Sequence, residues 1–397
     1  MVDRRDFLSI AAGATLALAG LDASAQSATA GIRRYVRLGR TGLSISDISF
    51  GSASSSDPAL VRHASERGIN YFDSAESYRW GNSEEAIGEA LQGKRDKILL
   101  ATKTKAGASD TRADMMKALE GSLKRLRTDH VDVYFNHSVN DVARIQNPEW
   151  AEFTELAKRQ GKIRFRGMSG HGSALVNCLD YAIDHDLVDV ILVAYNVSHD
   201  PTMTDKMRHL FHWSAIQPHL PEALAKAKKK DIGVIAMKTL MGARLNDMRR
   251  YERPNGTFSQ AAFRWVLSSP NIDALIVSMT SAEQIDEYVA ASGDPKLTRH
   301  DLELLERYAE LRAGNYCQPG CNACAESCPQ QVSISEVLRT RMYDVDYGDR
   351  ALAKAEYAAL ETGASACLTC THQACLKACP IDVPIAHFTR DAATRLA

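Results

Sequence analysis

Eight short apolar runs, separated by stretches of helical periodicity, constrain this chain more than any other feature. They are ISDISF (45–50), INYFDS (69–74), KILLATK (97–103), VDVYFNH (131–137), IRFRGMS (163–169), VDVILVAY (188–195), IGVIAMK (232–238) and DALIVSM (273–279). Each has the length of a strand, and eight strand–helix alternations argue for a (β/α)8 barrel of the TIM type. A doubly wound open sheet is the competitor, but no G-x-G-x-x-G follows the first run. The expected architecture is therefore α/β, with a barrel over 34–310. At 397 residues the chain exceeds one ordinary core, which leaves 311–397 for a second domain.

In such barrels chemistry gathers at the C-terminal ends of the strands. The second run ends at Asp73 and leads to Tyr78, the third ends at Lys103 and the fourth at His137. Singly, each has a plain explanation: Asp caps a turn, Lys closes a strand, His fills a core. Their arrival at one end of successive strands is what marks them as candidate catalytic groups.

The C-terminal segment carries a different signature. Eight of the nine cysteines fall into two runs, Cys317-x3-Cys321-x2-Cys324-x3-Cys328-Pro329 and Cys367-x2-Cys370-x4-Cys375-x3-Cys379-Pro380. The bacterial ferredoxin run is C-x2-C-x2-C-x3-C-P, whose first three thiolates hold one [4Fe-4S] cube while the fourth ligates the other. Each run here departs from it by an enlarged gap. Three thiolates must converge on three corners of one cube, so the backbone has to curl tightly. The expectation is two [4Fe-4S] clusters in a mostly helical domain; zinc, or one cluster with spare thiols, is the alternative. Between the runs, Ala, Leu, Glu and Lys favour helix, with a break near Gly348. Cys178, on an apolar helix face, reads as core.

The N-terminus has the order of a cleavable export signal. Arg4 and Arg5 precede Phe7-Leu8, an apolar run from Ile10 to Leu21 and an Ala-x-Ala ending at Ala25. That run is too short to span a bilayer, so no membrane span is expected once 1–25 is removed. The twin arginine resembles a Tat signal, a route that exports proteins already folded and would place the mature protein in the periplasm. The formal net charge of -1 offers no basic excess for phosphates and argues against nucleic-acid binding.

The barrel resembles the aldo-keto reductases, through LGRTGLSISDISFG, FDSAESYRWGNSEEAIGEAL, LLATKT, VDVYFNHS, GKIRFRGMS and ALIVSMTSAEQIDEY in order. The resemblance implies that Asp73, Tyr78, Lys103 and His137 form a catalytic tetrad in which Tyr78 exchanges a proton with a carbonyl or alcohol oxygen while hydride moves at carbon. Lys103 would lower the Tyr78 pKa, Asp73 would keep Lys103 charged, and His137 would orient the carbonyl. It also implies an NAD(P) site. Ser169 and Tyr195 match its nicotinamide contacts, but Gly170 and Leu192 replace an Asn and a Gln. Ser278 and Gln284 stand where basic residues grip an adenosine 2'-phosphate, which argues against an NADP preference.

Less specific features have bland readings: Trp80 lines the substrate mouth or packs on a neighbouring helix, His171 approaches the substrate or, the reading preferred here, sits in an exposed loop, and KAKKKD (226–231) is a solvated helix end. Three functions remain open. One is an exported reductase or dehydrogenase for a small carbonyl or alcohol, with clusters relaying electrons to a redox partner protein. Another is a redox enzyme that has abandoned nicotinamide. The last is an electron-transfer or binding subunit on a degenerate barrel.

Overall fold

The computed structural model describes residues 31–172, 174–197, 219–240, 248–254, 256–312, 317, 323–345, 348–380 and 382–397. Residues 1–25, expected above to be an export signal, and Cys321 lie outside the described residues.

The chain opens with a two-stranded antiparallel hairpin, β1 (Tyr35–Arg37) with β2 (Ser44–Ser46). Its turn carries Leu38 and Leu43, which with Ile45 pack on the residues filling the barrel. The run expected as one strand over 45–50 is thus split at Asp47. The buried Asp47 carboxylate accepts from the Ile48 amide (3.0 Å), the Ser292 hydroxyl (2.6 Å) and the Gly293 amide (2.7 Å), pinning the corner between β2 and the barrel.

Eight parallel strands then close the barrel: β3 (Ile48–Gly51), β4 (Tyr71–Asp73), β5 (Leu99–Thr104), β6 (Val131–Asn136), β7 (Ile163–Gly170), β8 (Val190–Ala194), β9 (Gly233–Met237) and β10 (Ala274–Ser278). Neighbours pair in chain order and β10 returns to β3. Alternate residues point to opposite faces. Tyr71, Ala101, Val133, Phe135, Val190, Leu192, Ile235 and Ala274 therefore fill the cylinder, while Phe72, Leu100, Tyr134, Ile191 and Val193 join the core beneath the helices. Gly167 is required at one interior point, where a Cβ would stand 2.6 Å from both the Phe135 ring and the Val190 carbonyl oxygen.

The surrounding helices are α1 (Pro58–Glu66), α2 (Asn82–Ala90), α3 (Arg112–Leu126), α4 (Val142–Gln146), α5 (Pro148–Arg159), α6 (Leu175–Asp184), α7 (Leu220–Lys229), α8 (Phe258–Leu267) and α9 (Ala282–Val289). Their starts are chemically marked. Asp57 accepts from the Ala59 amide ahead of α1, and Thr111 forms a reciprocal capping box with Asp114 at α3. Cys178 on α6 is fully buried, as a core residue should be. Two lysines of 226–231 are engaged in ion pairs: Lys226 meets Asp180 and Asp184, and Lys228 reaches Asp273 at 2.5 Å.

Helix α10 (Arg299–Arg312) packs on α8 through Phe258 and Tyr308, whose ring centroids are 4.4 Å apart. Beyond it come α11 (Ile334–Val345), α12 (Arg350–Ala358), α13 (Ala374–Ala378) and α14 (Ile385–Leu396). They enclose a separate core of Val332, Val337, Leu338, Ala353, Tyr357 and Ala392. This helical unit meets the barrel at the strands' C-terminal end. Lys105 donates to Glu356 at 2.7 Å, Lys238 to the Tyr343 hydroxyl at 2.9 Å, and Arg79 lies 3.6 Å from Asp349.

Candidate active site

Strand register delivers the four expected residues to one place. Asp73 is the last residue of β4 and pairs with Ala101, while Lys103, near the end of β5, pairs with Phe135. His137 follows β6, its amide held by the Thr104 carbonyl at 2.7 Å. Tyr78 begins a short 3-10 turn after β4. The next two residues, Arg79 (φ 51°) and Trp80 (φ 56°), adopt left-handed backbone, an unfavourable region for non-glycine residues that is typical of constrained functional loops. Arg79 donates to the Ser54 carbonyl at 3.1 Å, which ties the turn down. Trp80 is 71% exposed, so it is not packed on a neighbouring helix.

Lys103 and Asp73 form a buried ion pair, each side chain 1% exposed. Lys103 also donates to the Ser74 carbonyl at 2.6 Å, while Asp73 Oδ2 is buried without a partner. Burial lifts the Asp73 pKa and depresses that of Lys103, with their mutual attraction opposing both shifts. The Lys103 ammonium lies 4.9 Å from the centroid of the Tyr78 ring, over its face. Tyr78 in turn meets His137 edge-on, with centroids 5.5 Å apart.

The electrostatics differ from the expectation that Lys103 lowers the Tyr78 pKa. Tyr78 is pushed well above its ordinary value, first by burial and then by Asp73, Tyr343 and Glu356. The cation addresses the ring while its hydrogen bonds go to Asp73 and Ser74. His137 is driven well below the ordinary histidine value by burial and by Lys103, Lys105, Arg144 and Lys238. It is therefore neutral at physiological pH, and its buried Nδ1 has no hydrogen-bond partner.

His171, read as approaching the substrate or, by preference, as an exposed loop residue, takes the first course and joins the site. Its Nε2 is 2.7 Å from the Ser138 hydroxyl, its Nδ1 is buried, and burial with Lys238, Arg339, His137 and Lys105 pushes its pKa well down. Composition around His171 could not reveal this, because the enclosing groups come from just beyond β5, β6 and β9 and from α11. Lys105, Lys238, Arg339, Tyr343 and Glu356 were likewise not marked by any motif.

Of the expected cofactor contacts, Ser169 and Tyr195 stand at the ends of the paired strands β7 and β8, and Ser278 and Gln284 stand at and beyond the end of β10. Ser169, buried on β7, accepts from the Ser138 amide at 2.9 Å. Tyr195 stacks on Trp265 of α8, with centroids 5.3 Å apart, in the layer between barrel and helices. Ser278 ends β10, and Gln284 accepts from the Thr280 amide and hydroxyl at 2.9 Å. The basic side chains flanking this rim, His63 and Arg67, are held by Asp286.

Cys178, Cys328, Cys367, Cys370, Cys375 and Cys379 are free thiols. Cys324 belongs to the core of the helical unit, and Cys317, Cys328, Cys367, Cys375 and Cys379 pack against it. Cys328 of the first run acts electrostatically on both Cys367 and Cys375 of the second, and Cys370 does the same. The Val383 amide donates to the Cys379 sulfur at 3.3 Å. Among the described residues, no group of three His, Cys, Asp or Glu side chains could hold a metal ion.

Comparison with known proteins settles the family. The aldo/keto reductase family model matches residues 49–260, more than half of the chain. This chain belongs to the aldo/keto reductase family. It is 24% identical over 302 residues to the uncharacterized oxidoreductase YqkF of Bacillus subtilis, covering 70% of this chain and 97% of that protein. It is 27% identical over 310 residues to L-galactose dehydrogenase of Arabidopsis thaliana, covering 68% of this chain and 91% of the relative. Among solved structures, the holo aldo-keto reductase AKR11C1 of Bacillus halodurans superposes with a TM-score of 0.55 at 22% identity, covering 69% of this chain and 95% of its own. That likeness establishes the barrel fold. The chain is thus an oxidoreductase of the aldo-keto reductase type on a closed (β/α)8 barrel.

Proposed function

We propose that this chain interconverts a small carbonyl compound and its alcohol, with Tyr78 as the proton-exchanging group, and that it is exported through the Tat route with [4Fe-4S] clusters in its helical domain. The observation that carries the reading is the Asp73–Lys103–Tyr78–His137 constellation gathered at one mouth of the barrel. Tyr78, pushed upward in pKa, is protonated at neutral pH and can donate to a carbonyl oxygen. His137, held neutral, can give a second hydrogen bond to the same oxygen without bringing a competing charge. Asp73 and Lys103 hold the floor on which the Tyr78 ring rests.

A bound nicotinamide would supply or accept the hydride. The described residues fit that group in part, through Ser169, whereas Tyr195 is engaged by Trp265. The rim at Ser278 and Gln284 offers hydroxyl and amide groups in place of cations, which favours a dinucleotide without a 2'-phosphate.

The thiols fit iron-sulfur ligation better than a single ion. A cube's corners lie several ångströms apart, so its ligands need not converge on one point, and Cys328 lies among the second-run cysteines as a ligand shared between runs would. Such clusters, held by these cysteines, would supply one-electron transfer. A second reading, redox chemistry without nicotinamide, is favoured by the outward packing of Tyr195 and the apolar Leu192 inside the barrel. Acid release of small molecules from the purified, reconstituted protein separates the two. Nicotinamide dinucleotide in the supernatant supports the first reading, and its absence the second.

A further inference from the structure

The helical domain does more than adjoin the barrel; it reaches into the mouth with a second phenol. Tyr343, on α11, is 8% exposed, and its hydroxyl oxygen receives hydrogen bonds from Lys238 Nζ and Arg339 Nη1, each at 2.9 Å. An ammonium and a guanidinium can donate but cannot accept. Two charge-assisted donors on one phenol oxygen form an environment built for negative charge. Lys238 follows β9 in left-handed backbone (φ 56°), and its ammonium also lies 5.2 Å from the Tyr343 ring centroid. Arg339 is oriented by Glu336 on its own helix and lies 3.7 Å from Glu356 of α12. Glu356 accepts from Lys105 beyond β5.

The same groups lie within electrostatic reach of the catalytic residues of the barrel. Tyr343 and Glu356 both act on Tyr78, Lys238 acts on His137 and His171, and Arg339 acts on His171. We propose that Tyr343, carried by the helical domain, is a proton-accepting group of the barrel's mouth, opposed to the proton-donating Tyr78, so that the site is incomplete without that domain.

The titratable surroundings agree. Burial lifts the Tyr343 pKa, but Lys238 and Arg339 outweigh it and bring it below the ordinary tyrosine value, whereas Tyr78 moves the other way. Environments that separate two neighbouring titratable groups assign them acid and base roles. A ligand spanning them would carry a carbonyl or hydroxyl oxygen for Tyr78 and a second hydroxyl to donate to Tyr343. Proton transfer from that hydroxyl leaves the bonding pair on the ligand oxygen and neutralises the phenolate, with no oxidant consumed. The role rests on the carbonyl–alcohol reading of the mouth.

The test is a pH titration of phenolate absorbance on the full-length holoprotein, which needs no turnover. Wild type should show one phenol ionising below the ordinary midpoint of about 10. Tyr343→Phe should lose that transition and Tyr78→Phe should keep it. Lys238→Met retains the phenol and should raise its midpoint by about one unit or more, which decides the matter if Tyr343→Phe fails to fold. A wild-type curve without the early transition, or a Lys238→Met curve that superposes on wild type, overturns the proposal. The carbonyl–alcohol reading fails separately if 4-nitrobenzaldehyde is not reduced with either NADH or NADPH. Where it is reduced, Tyr343→Phe should remove one limb of the kcat/KM pH profile, and an unchanged profile overturns Tyr343's part in the site.

Discussion

Replacing Lys103 by Met leaves the Asp73 carboxylate inside the barrel mouth with its counter-charge gone. Both side chains are 1% exposed, and Asp73 Oδ2 already lacks a partner, so solvent cannot take over from the ammonium. Breaking a buried pair by removing one member costs about 3–5 kcal/mol. At about 2–4 °C per kcal/mol, this lowers the midpoint of thermal unfolding by about 6–20 °C. The loss is pH-dependent with a definite sign. Asp73 has a folded-state pKa above its unfolded value, so its protonated form favours the native state. That contribution is full below the unfolded value of about 3.9 and is lost as pH rises through the folded value. Without Lys103 to offset it, the destabilisation of Lys103→Met should be greatest near neutrality and shrink as pH falls toward 4. Urea unfolding followed by tryptophan fluorescence, run across that range, measures it. A variant within about 1 kcal/mol of wild type at neutral pH, or a deficit that does not shrink on acidification, would refute the argument that the pair is buried and coupled.

Other expectations follow from packing and from the thiols. Gly167→Ala should destabilise the barrel by about 1–3 kcal/mol, because the added methyl meets Phe135 and the Val190 carbonyl; equilibrium unfolding checks this. Reconstituted wild type should hold about eight iron and eight sulfide per chain, and Cys328→Ser should fall toward about four of each, since Cys328 stands among the second-run cysteines. Iron unchanged in that variant, or zinc in place of iron in wild type, would contradict the cluster assignment.

The barrel is legible because its signal is local: buried strands are short apolar runs, and each of the eight expected runs overlaps one barrel strand. The hairpin β1–β2 was missed although LGRTGLSIS carries a turn, with Gly39 and Gly42 both at positive φ, between alternating residues. The split at Asp47 depends on Ser292 and Gly293, some 245 residues away in sequence, and no local pattern discloses such a partner. The same holds for the mouth. Strand ends expose Asp73, Lys103 and His137 to sequence reasoning because each closes a recognisable run. Tyr343, Arg339 and Glu356 reach the site from helices whose sequence reads only as amphipathic. The Tyr78 pKa was misjudged for a related reason: chain order places a lysine near a tyrosine, but only geometry shows the ammonium over the ring and bonded elsewhere.

The most direct test of the central claim is the rate at which Tyr78→Phe reduces 4-nitrobenzaldehyde with nicotinamide, relative to wild type under the same conditions. Loss of the proton donor should lower kcat by about 10²–10⁴-fold while the protein remains folded. A phenylalanine variant that turns over at the wild-type rate would show that the constellation at the barrel mouth does not perform the chemistry assigned to it.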